Sequence, residues 1–266
     1  MAIPFPDINP VAVSIGPVDI RWYALAYLAG FILGLRYCLR LADKNEEKPT
    51  REQVDDFLTW AIVGVILGGR LGYVLFYLPE YYLQHPVEII KIWHGGMSFH
   101  GGVLGVACAM FLFSRKYEIP ILRLSDLVCA AAPIGLFFGR IANFINGELY
   151  GHVTTLPWGM VFPGAGDLPR HPSQLYEASL EGIVLFSILA FLVYKKDALQ
   201  RPGIVSGTFL LCYGIFRALL ELVREPDAYL GYFFGIISMG QILSIPMILA
   251  GIYLIASSPS KQKNDE

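Results

Sequence analysis

Apolar residues in this chain run in long continuous blocks and do not alternate with polar ones. Seven such blocks lie near Ile20–Arg40, Val54–Leu78, Gly96–Arg115, Ile121–Asn143, Ser173–Tyr194, Gly203–Val223 and Phe234–Ser257. A helix needs roughly 20 apolar residues to cross a bilayer. Barrel strands would instead alternate apolar and polar positions. A helix also satisfies its own backbone groups inside lipid. The pattern therefore predicts an all-α fold: a polytopic transmembrane helical bundle of seven spans, forming one integral membrane domain over residues 1–266. No internal repeat or low-complexity tract is visible. The N-terminal stretch MAIPFPDINP has no basic region ahead of its apolar block, so it does not read as a cleavable signal peptide.

Lysine and arginine between the blocks set the expected orientation. Of the 20 basic residues, Arg36, Arg40, Lys44, Lys48, Arg51, Arg115, Lys116, Arg123, Lys195, Lys196, Arg201, Lys261 and Lys263 fall on one side. Arg21, Arg70, Lys91, Arg140, Arg170, Arg217 and Arg224 fall on the other, or inside the adjoining half-spans. The richer side is expected to be cytoplasmic. The N-terminus then faces out, and residues 258–266 form a short cytoplasmic tail. Residues 79–95 and 144–172 become outer loops, rich in Gly, Pro, His and aromatics. They are long for connections within a bundle, and such loops are usually functional or packed into small caps.

Composition narrows the classes further. Hydrophobic residues make up 55% and charged residues 16%, with a mean hydropathy of +0.53. A soluble domain carries about 25% charge, so disorder, a fibrous repeat and an ordinary cytosolic enzyme are excluded. A net charge of -2 offers no basic field for nucleic acid. Cys38, Cys108, Cys129 and Cys212 all lie inside apolar blocks and read as buried hydrophobes rather than disulfides or ligands.

Ionisable groups within spans are costly and are functional candidates by default. His100 lies about one turn below the outer surface, in HGGMSFHGG. It reads either as a hydrogen-bonded structural residue or as a proton acceptor. With His94 it makes only two possible ligands, too few for a metal site. Arg140 lies at an outward C-terminal helix end, where a cation suits the dipole. Asn143 follows one turn later, then the turn signal Asn146-Gly147 and Glu148, close enough to fold back towards Arg140. An arginine with Asn and Glu around a tight turn also suits a phosphate or carboxylate site. Tyr213, Arg217 and Glu221 are spaced to share one helix face, with Arg217 about two turns inside the outer end. They read as an internal ion pair or as groups facing a wet cavity. Pro226 is expected to stop that helix. At His171–Glu177 a helix starts, with Ser173 expected as its cap; Glu177 and Glu181 follow one turn apart. Arg70 reads as a structural pair or a head-group contact. Trp22 and Tyr23 match an interfacial aromatic belt.

Arg140, Arg217, His100 and Glu148 fall at one depth, that of the outer leaflet. Two arginines there suit an anionic lipid head group and would help a phosphate depart, while a nearby base could activate a nucleophile. This points to an intramembrane transferase acting on a phospholipid. The competing classes are a transporter, a lipid-binding scaffold and an intramembrane protease. A transporter would place polar groups near midplane and often shows repeats. Ser98 and His100 point to different faces of their helix, which disfavours a protease.

The run from His94 to Gly102, and the run GRIANFINGELYG from Gly139 to Gly151, closely resemble prolipoprotein diacylglyceryl transferases. The second run is similar to the family's GRxxNFxNGExxG signature. The segment HPSQLYE at 171–177, and the Tyr–Arg–Glu ladder ending in REPD at 224–227, resemble the family too. The likeness covers nearly the whole chain. It implies a bacterial inner-membrane enzyme that moves diacylglyceryl from phosphatidylglycerol to the lipobox cysteine of a prolipoprotein signal peptide. A thioether forms and glycerol phosphate leaves, with the active site towards the outer leaflet. It implies catalytic roles for His100, Arg140 and Arg217, and substrate-binding roles for Arg140, Asn143, Glu148, Gly151, Tyr23, Tyr213 and Glu221. No cofactor, no metal and no nucleic-acid partner is expected.

Overall fold

The computed structural model describes residues 3–6, 8–44, 48–225, 232–233 and 237–259. Seven long helices among them are numbered here in chain order: α1 (Trp22–Ala42), α2 (Arg51–Phe76), α3 (Phe99–Tyr117), α4 (Ile121–Ile145), α5 (Ser173–Lys196), α6 (Ile204–Leu220) and α7 (Met239–Ser257). By length and composition α1, α2, α4, α5 and α7 can each cross a membrane, and α6 is a shorter apolar helix. Each helix falls on one of the apolar blocks. Leu67, Leu71 and Leu75 on α2, and Leu249, Ile252 and Tyr253 on α7, remain exposed. Such apolar flanks suit lipid contact. The chain is a multi-pass membrane protein. Pro226 and most of residues 258–266 lie outside the described residues.

The chain forms two compact units, Cys38–Ser125 and Met1–Tyr37 with Asp126–Glu266. In the first, Thr50 and Gln53 close a reciprocal capping box that starts α2, and Ser98 caps α3 through the Gly101 N–H. Without a hydrophobic drive in lipid, helices associate by close backbone approach through small residues. Gly64, Gly68 and Gly72 of α2 meet Gly101, Gly105 and Ala109 of α3. A Cβ placed on Gly68 would sit 2.3 Å from the Gly101 carbonyl oxygen.

Residues 79–95 of this unit fold as a short helix, Pro79–Gln84, and two 3-10 turns, Pro86–Ile90 and Ile92–His94. Arg70 organises them. The residue is 4% exposed, and its guanidinium donates to the carbonyls of Ile89 (2.9 Å), Glu88 (2.5 Å), Gly96 (3.1 Å), Lys91 (3.3 Å) and Gly95. It also lies over the Tyr82 ring at 5.1 Å. Of the two expectations for Arg70 the structural one is met, although its partners are backbone carbonyls and not a carboxylate.

In the other unit, a hairpin of Val11–Ile15 and Val18–Arg21 precedes α1. The first helix therefore starts at Trp22, and Ile20 and Arg21 are strand. Asp126 of α4 is 1% exposed. It accepts from the Gly203 N–H (2.8 Å), the Ser206 N–H (2.7 Å) and the Ser206 hydroxyl (2.6 Å). A carboxylate from α4 thus caps the N-terminus of α6, where its charge also suits the dipole. Residues 144–172 pack as a small cap around Phe162, which is 1% exposed and touches Phe5, Phe144 and Tyr150. Ile3–Pro4 pairs in parallel with Met160–Val161 at its edge.

Replacing Gly68 by Leu is expected to force α2 and α3 apart and lower the thermal unfolding midpoint in detergent, since overpacking costs about 1–3 kcal/mol or more. A matching change at Gly95, whose added Cβ meets nothing within 4 Å, tests a positive-φ position and should leave the helix pair intact. The check is the two unfolding curves side by side.

Candidate active site

The site is built in the second unit from α4, α5 and α6. Near its end α4 carries Arg140. Gly147, at φ +67°, then turns the chain through Asn146-Gly147, a conformation glycine adopts freely. Glu148 comes back over the helix end: its N–H donates to the Asn143 carbonyl at 3.1 Å. Its carboxylate accepts from the Asn143 and Asn146 side-chain amides at 2.8 and 3.2 Å. The expected Asn–Glu turn is therefore present, but the ion pairs of Arg140 run elsewhere.

The start of α5 is tied to this turn. Gln174 donates to the Glu148 carbonyl at 2.6 Å and Ser173 to the Leu149 carbonyl at 3.0 Å. Ser173 was expected to cap the helix. Pro172 holds the cap position and Ser173 is the first helical residue, fully buried. Its hydroxyl serves the carbonyl of a distant loop, so a local N-cap bond does not form. One turn on, α5 passes into a π-helical segment, Ala178–Val184. Its i to i+5 bonds put more residues in each turn than an α-helix has, which brings residues four apart closer to alignment. Glu177 and Glu181 thereby project together, and both are 0% exposed.

Two arginines converge on these carboxylates. Arg140 Nη2 lies 2.8 Å from Glu177 Oε2 and 3.5 Å from Glu181 Oε2. Arg217 Nη1 lies 3.2 Å from Glu177 Oε2 and 3.9 Å from Glu181 Oε1. Arg217 also pairs with Glu221 on its own helix. Glu221 in turn meets Arg224 at 3.5 Å and accepts from the Ser238 hydroxyl at 2.6 Å. Of the expected i, i+4, i+8 ladder the Arg217–Glu221 pair forms, with Glu221 in the cap position after α6. Its place along the helix differs, because α6 ends at Leu220 and Arg217 is in the last turn, not two turns inside. There the helix dipole favours a cation. Tyr213 stacks on Phe209 at 5.7 Å and lies within electrostatic reach of Glu177, Glu181, Arg140 and Arg217. Tyr23, on α1, hydrogen-bonds Tyr27 at 3.1 Å and feels the charges of Glu148 and Arg140.

The remaining candidates stand as follows. Gly151 is a point of backbone crossing: it bridges to Arg224, its N–H donates to the His171 carbonyl at 2.9 Å, and a Cβ would come 2.3 Å from the Val223 carbonyl oxygen. Arg170 braces the same crossing through the Gly151 carbonyl at 3.3 Å and an ion pair with Glu225. Burial, with the charge of His152 added, holds the His171 imidazole below its usual range. His100 belongs to the other unit. It sits exposed in the first turn of α3, edge-on to Phe99. His94 pairs with Glu88 at 2.9 Å; hydrogen bonds from Lys91 and His94 hold the Glu88 carboxyl below its ordinary range.

Glu177 and Glu181 were not singled out from the sequence as partners of the arginines. The available signal was a pair of carboxylates four apart inside an apolar block, a costly arrangement that requires counter-charges. Because Glu177 Oε2 serves both arginines, Glu177→Gln should leave two buried cations under-compensated, at a cost of about 3–5 kcal/mol. Thermal unfolding of the variant in detergent is expected to show that loss.

The chain matches the family profile described as prolipoprotein diacylglyceryl transferase over residues 10–257. It is 56% identical over 260 residues to a phosphatidylglycerol–prolipoprotein diacylglyceryl transferase of Rhodospirillum centenum, covering 97% of this chain and 94% of that one. The protein of the same name from Azospirillum brasilense is also 56% identical over 260 residues, covering 97% of each chain. That of Rickettsia felis is 51% identical over 257 residues, covering 97% and 99%. With a profile spanning nearly its whole length and relatives this similar end to end, the chain belongs to the prolipoprotein diacylglyceryl transferase family.

Proposed function

We propose that this protein transfers the diacylglyceryl group of phosphatidylglycerol to the cysteine thiol of a prolipoprotein, the first step of lipoprotein maturation. The observation that carries the site reading is the convergence of Arg140 and Arg217 on one buried carboxylate, Glu177. Two guanidinium groups held beside each other in a low-dielectric setting form a ready cradle for a phosphate monoanion. The membrane is the bacterial inner membrane and the site faces its outer leaflet, a reading supported by the basic residues gathered at the opposite helix ends.

In the reaction the substrate sulfur bonds the glyceryl carbon that carries the phosphate ester. The carbon–oxygen bond breaks and its electron pair stays with phosphate. Glycerol phosphate leaves and the thiol proton passes to a base. Arg140 and Arg217 stabilise the second charge that develops on phosphate, the kind of preorganised stabilisation that accounts for most of many rate enhancements. A free thiol has a pKa of about 8.5, so most of it is protonated at neutral pH and activation accelerates attack. His100 is the residue proposed for activating or positioning that thiol. Its exposed imidazole on a first helical turn and the resemblance of the run around it support this role. Asn143 and Glu148 hold the turn beside Arg140, and Tyr23, Tyr213 and Glu221 orient the charged groups. Gly151 contributes by letting the backbones cross. The peptide substrate is recognised around its lipobox cysteine.

Arg140→Lys tests the cradle. An ammonium is a point charge and does not replace a bidentate fork. The variant is expected to fold and to retain less than roughly a hundredth of the activity, the scale on which loss of one such donor is felt. Near wild-type release of glycerol phosphate in this variant would contradict the assignment.

A further inference from the structure

Among the described residues the buried cluster contains three guanidinium groups and three carboxylates. Arg140 comes from α4, Arg217 from α6 and Arg224 from the residues just beyond α6. Facing them are Glu177 and Glu181 of α5 and Glu221 at the end of α6. Tyr213 faces Glu181, Glu177, Arg140 and Arg217, and Tyr23 lies within electrostatic reach of Arg140. With every carboxylate ionised these six groups sum to zero charge. A phosphodiester brings one more negative charge, and an uncompensated charge in such a setting costs several kcal/mol. Closing the balance takes one proton.

The three carboxylates are not equivalent. Glu177 Oε2 binds both arginines at 2.8 and 3.2 Å. Glu221 pairs with Arg217 and Arg224 and receives the Ser238 hydroxyl at 2.6 Å. Glu177 and Glu221 each leave only Oε1 without a well-formed hydrogen bond, whereas Glu181, 0% exposed, leaves both oxygens so, and its ion pairs are long, at 3.5 and 3.9 Å. An ionised carboxylate has about four acceptor sites to satisfy, so Glu181 is the least supported anion of the three. We infer that Glu181 holds a proton whenever Arg140 and Arg217 hold the lipid phosphate. The protonated cluster then carries one net positive charge against one phosphate. Glu181 in this form is a positioning residue: it releases both arginines towards the head group and presents an O–H in place of a competing anion. The inference rests on the reading of those arginines as the phosphate cradle.

Infrared spectroscopy of the purified protein, loaded at neutral pH with a phosphatidylglycerol carrying short ether-linked chains, reads the protonation state directly. That lipid has no ester carbonyl, so a carboxylic-acid C=O band that shifts in heavy water comes from the protein. The expected result is such a band in the lipid-loaded wild type and its loss in Glu181→Gln, which still binds the lipid because the amide imitates the neutral acid. Glu181→Asp should move the band without deleting it, and serves if E181Q does not fold. If no band responds to either change while binding still requires Arg140, the inference is overturned and the cradle stands. If Arg140→Gln binds the lipid as the wild type does, the cradle itself is wrong and the inference falls with it.

Discussion

Ion pairing between arginines and glutamates buried among apolar helices is the constraint on which the rest of this structure depends. A guanidinium or carboxylate removed from water needs an opposite charge at short range. Glu177 supplies it to Arg140 and Arg217 at once, which fixes α5 between α4 and α6. At the other end Asp126 binds the start of α6. The contacts 126 to 203–206 and 140 to 217, the second through Glu177, make α4 and α6 run in the same sense. They are pinned at points about 20 Å apart at 1.5 Å per residue. The tie from Ser173 and Gln174 to residues 148 and 149 and the π turn at Ala178–Val184 then set the height and rotation of the two carboxylates.

Much of the fold was legible because a bilayer leaves the chain few options. Each apolar block became a helix, and the polar segments at 79–95 and 144–172 became small packed structures. Their internal order was less legible. Nothing in the hydrophobic pattern says that Arg70 will gather five backbone carbonyls, because that role depends on loop conformation. The end of α6 was misplaced for a similar reason: Leu222 and Val223 are apolar, so the block continues beyond the last helical turn at Leu220.

The candidate site was legible by residue type and not by partnership. Arg140, Asn143, Arg217 and Glu221 stand out because charged or amide groups are expensive in apolar blocks, and the Arg217–Glu221 pair follows from spacing; Glu148, expected to fold back towards Arg140, is held by Asn143. The long-range pairs do not follow from spacing. Glu177 is 37 residues from Arg140 and 40 from Arg217, and its place near a helix start offered a sufficient local reason for an acid. Ser173 shows the same effect, since a serine at a helix start reads as a cap until a distant carbonyl claims its hydroxyl. That the proposed phosphate cradle is filled with carboxylates is no conflict on this view. The glutamates keep two arginines ordered and close together, which under the proposed function would leave little reorganisation for the reaction itself.

The most direct measurement is to incubate the purified protein with phosphatidylglycerol and a lipobox peptide, and with the same peptide carrying Cys→Ala. Peptide mass and released glycerol phosphate are then followed together. The account predicts a diacylglyceryl mass gain that requires the cysteine and is matched by glycerol phosphate. Lipid binding with no mass gain, in both detergent and liposomes, would contradict it and leave the arginine pair as a lipid-binding site without transfer chemistry.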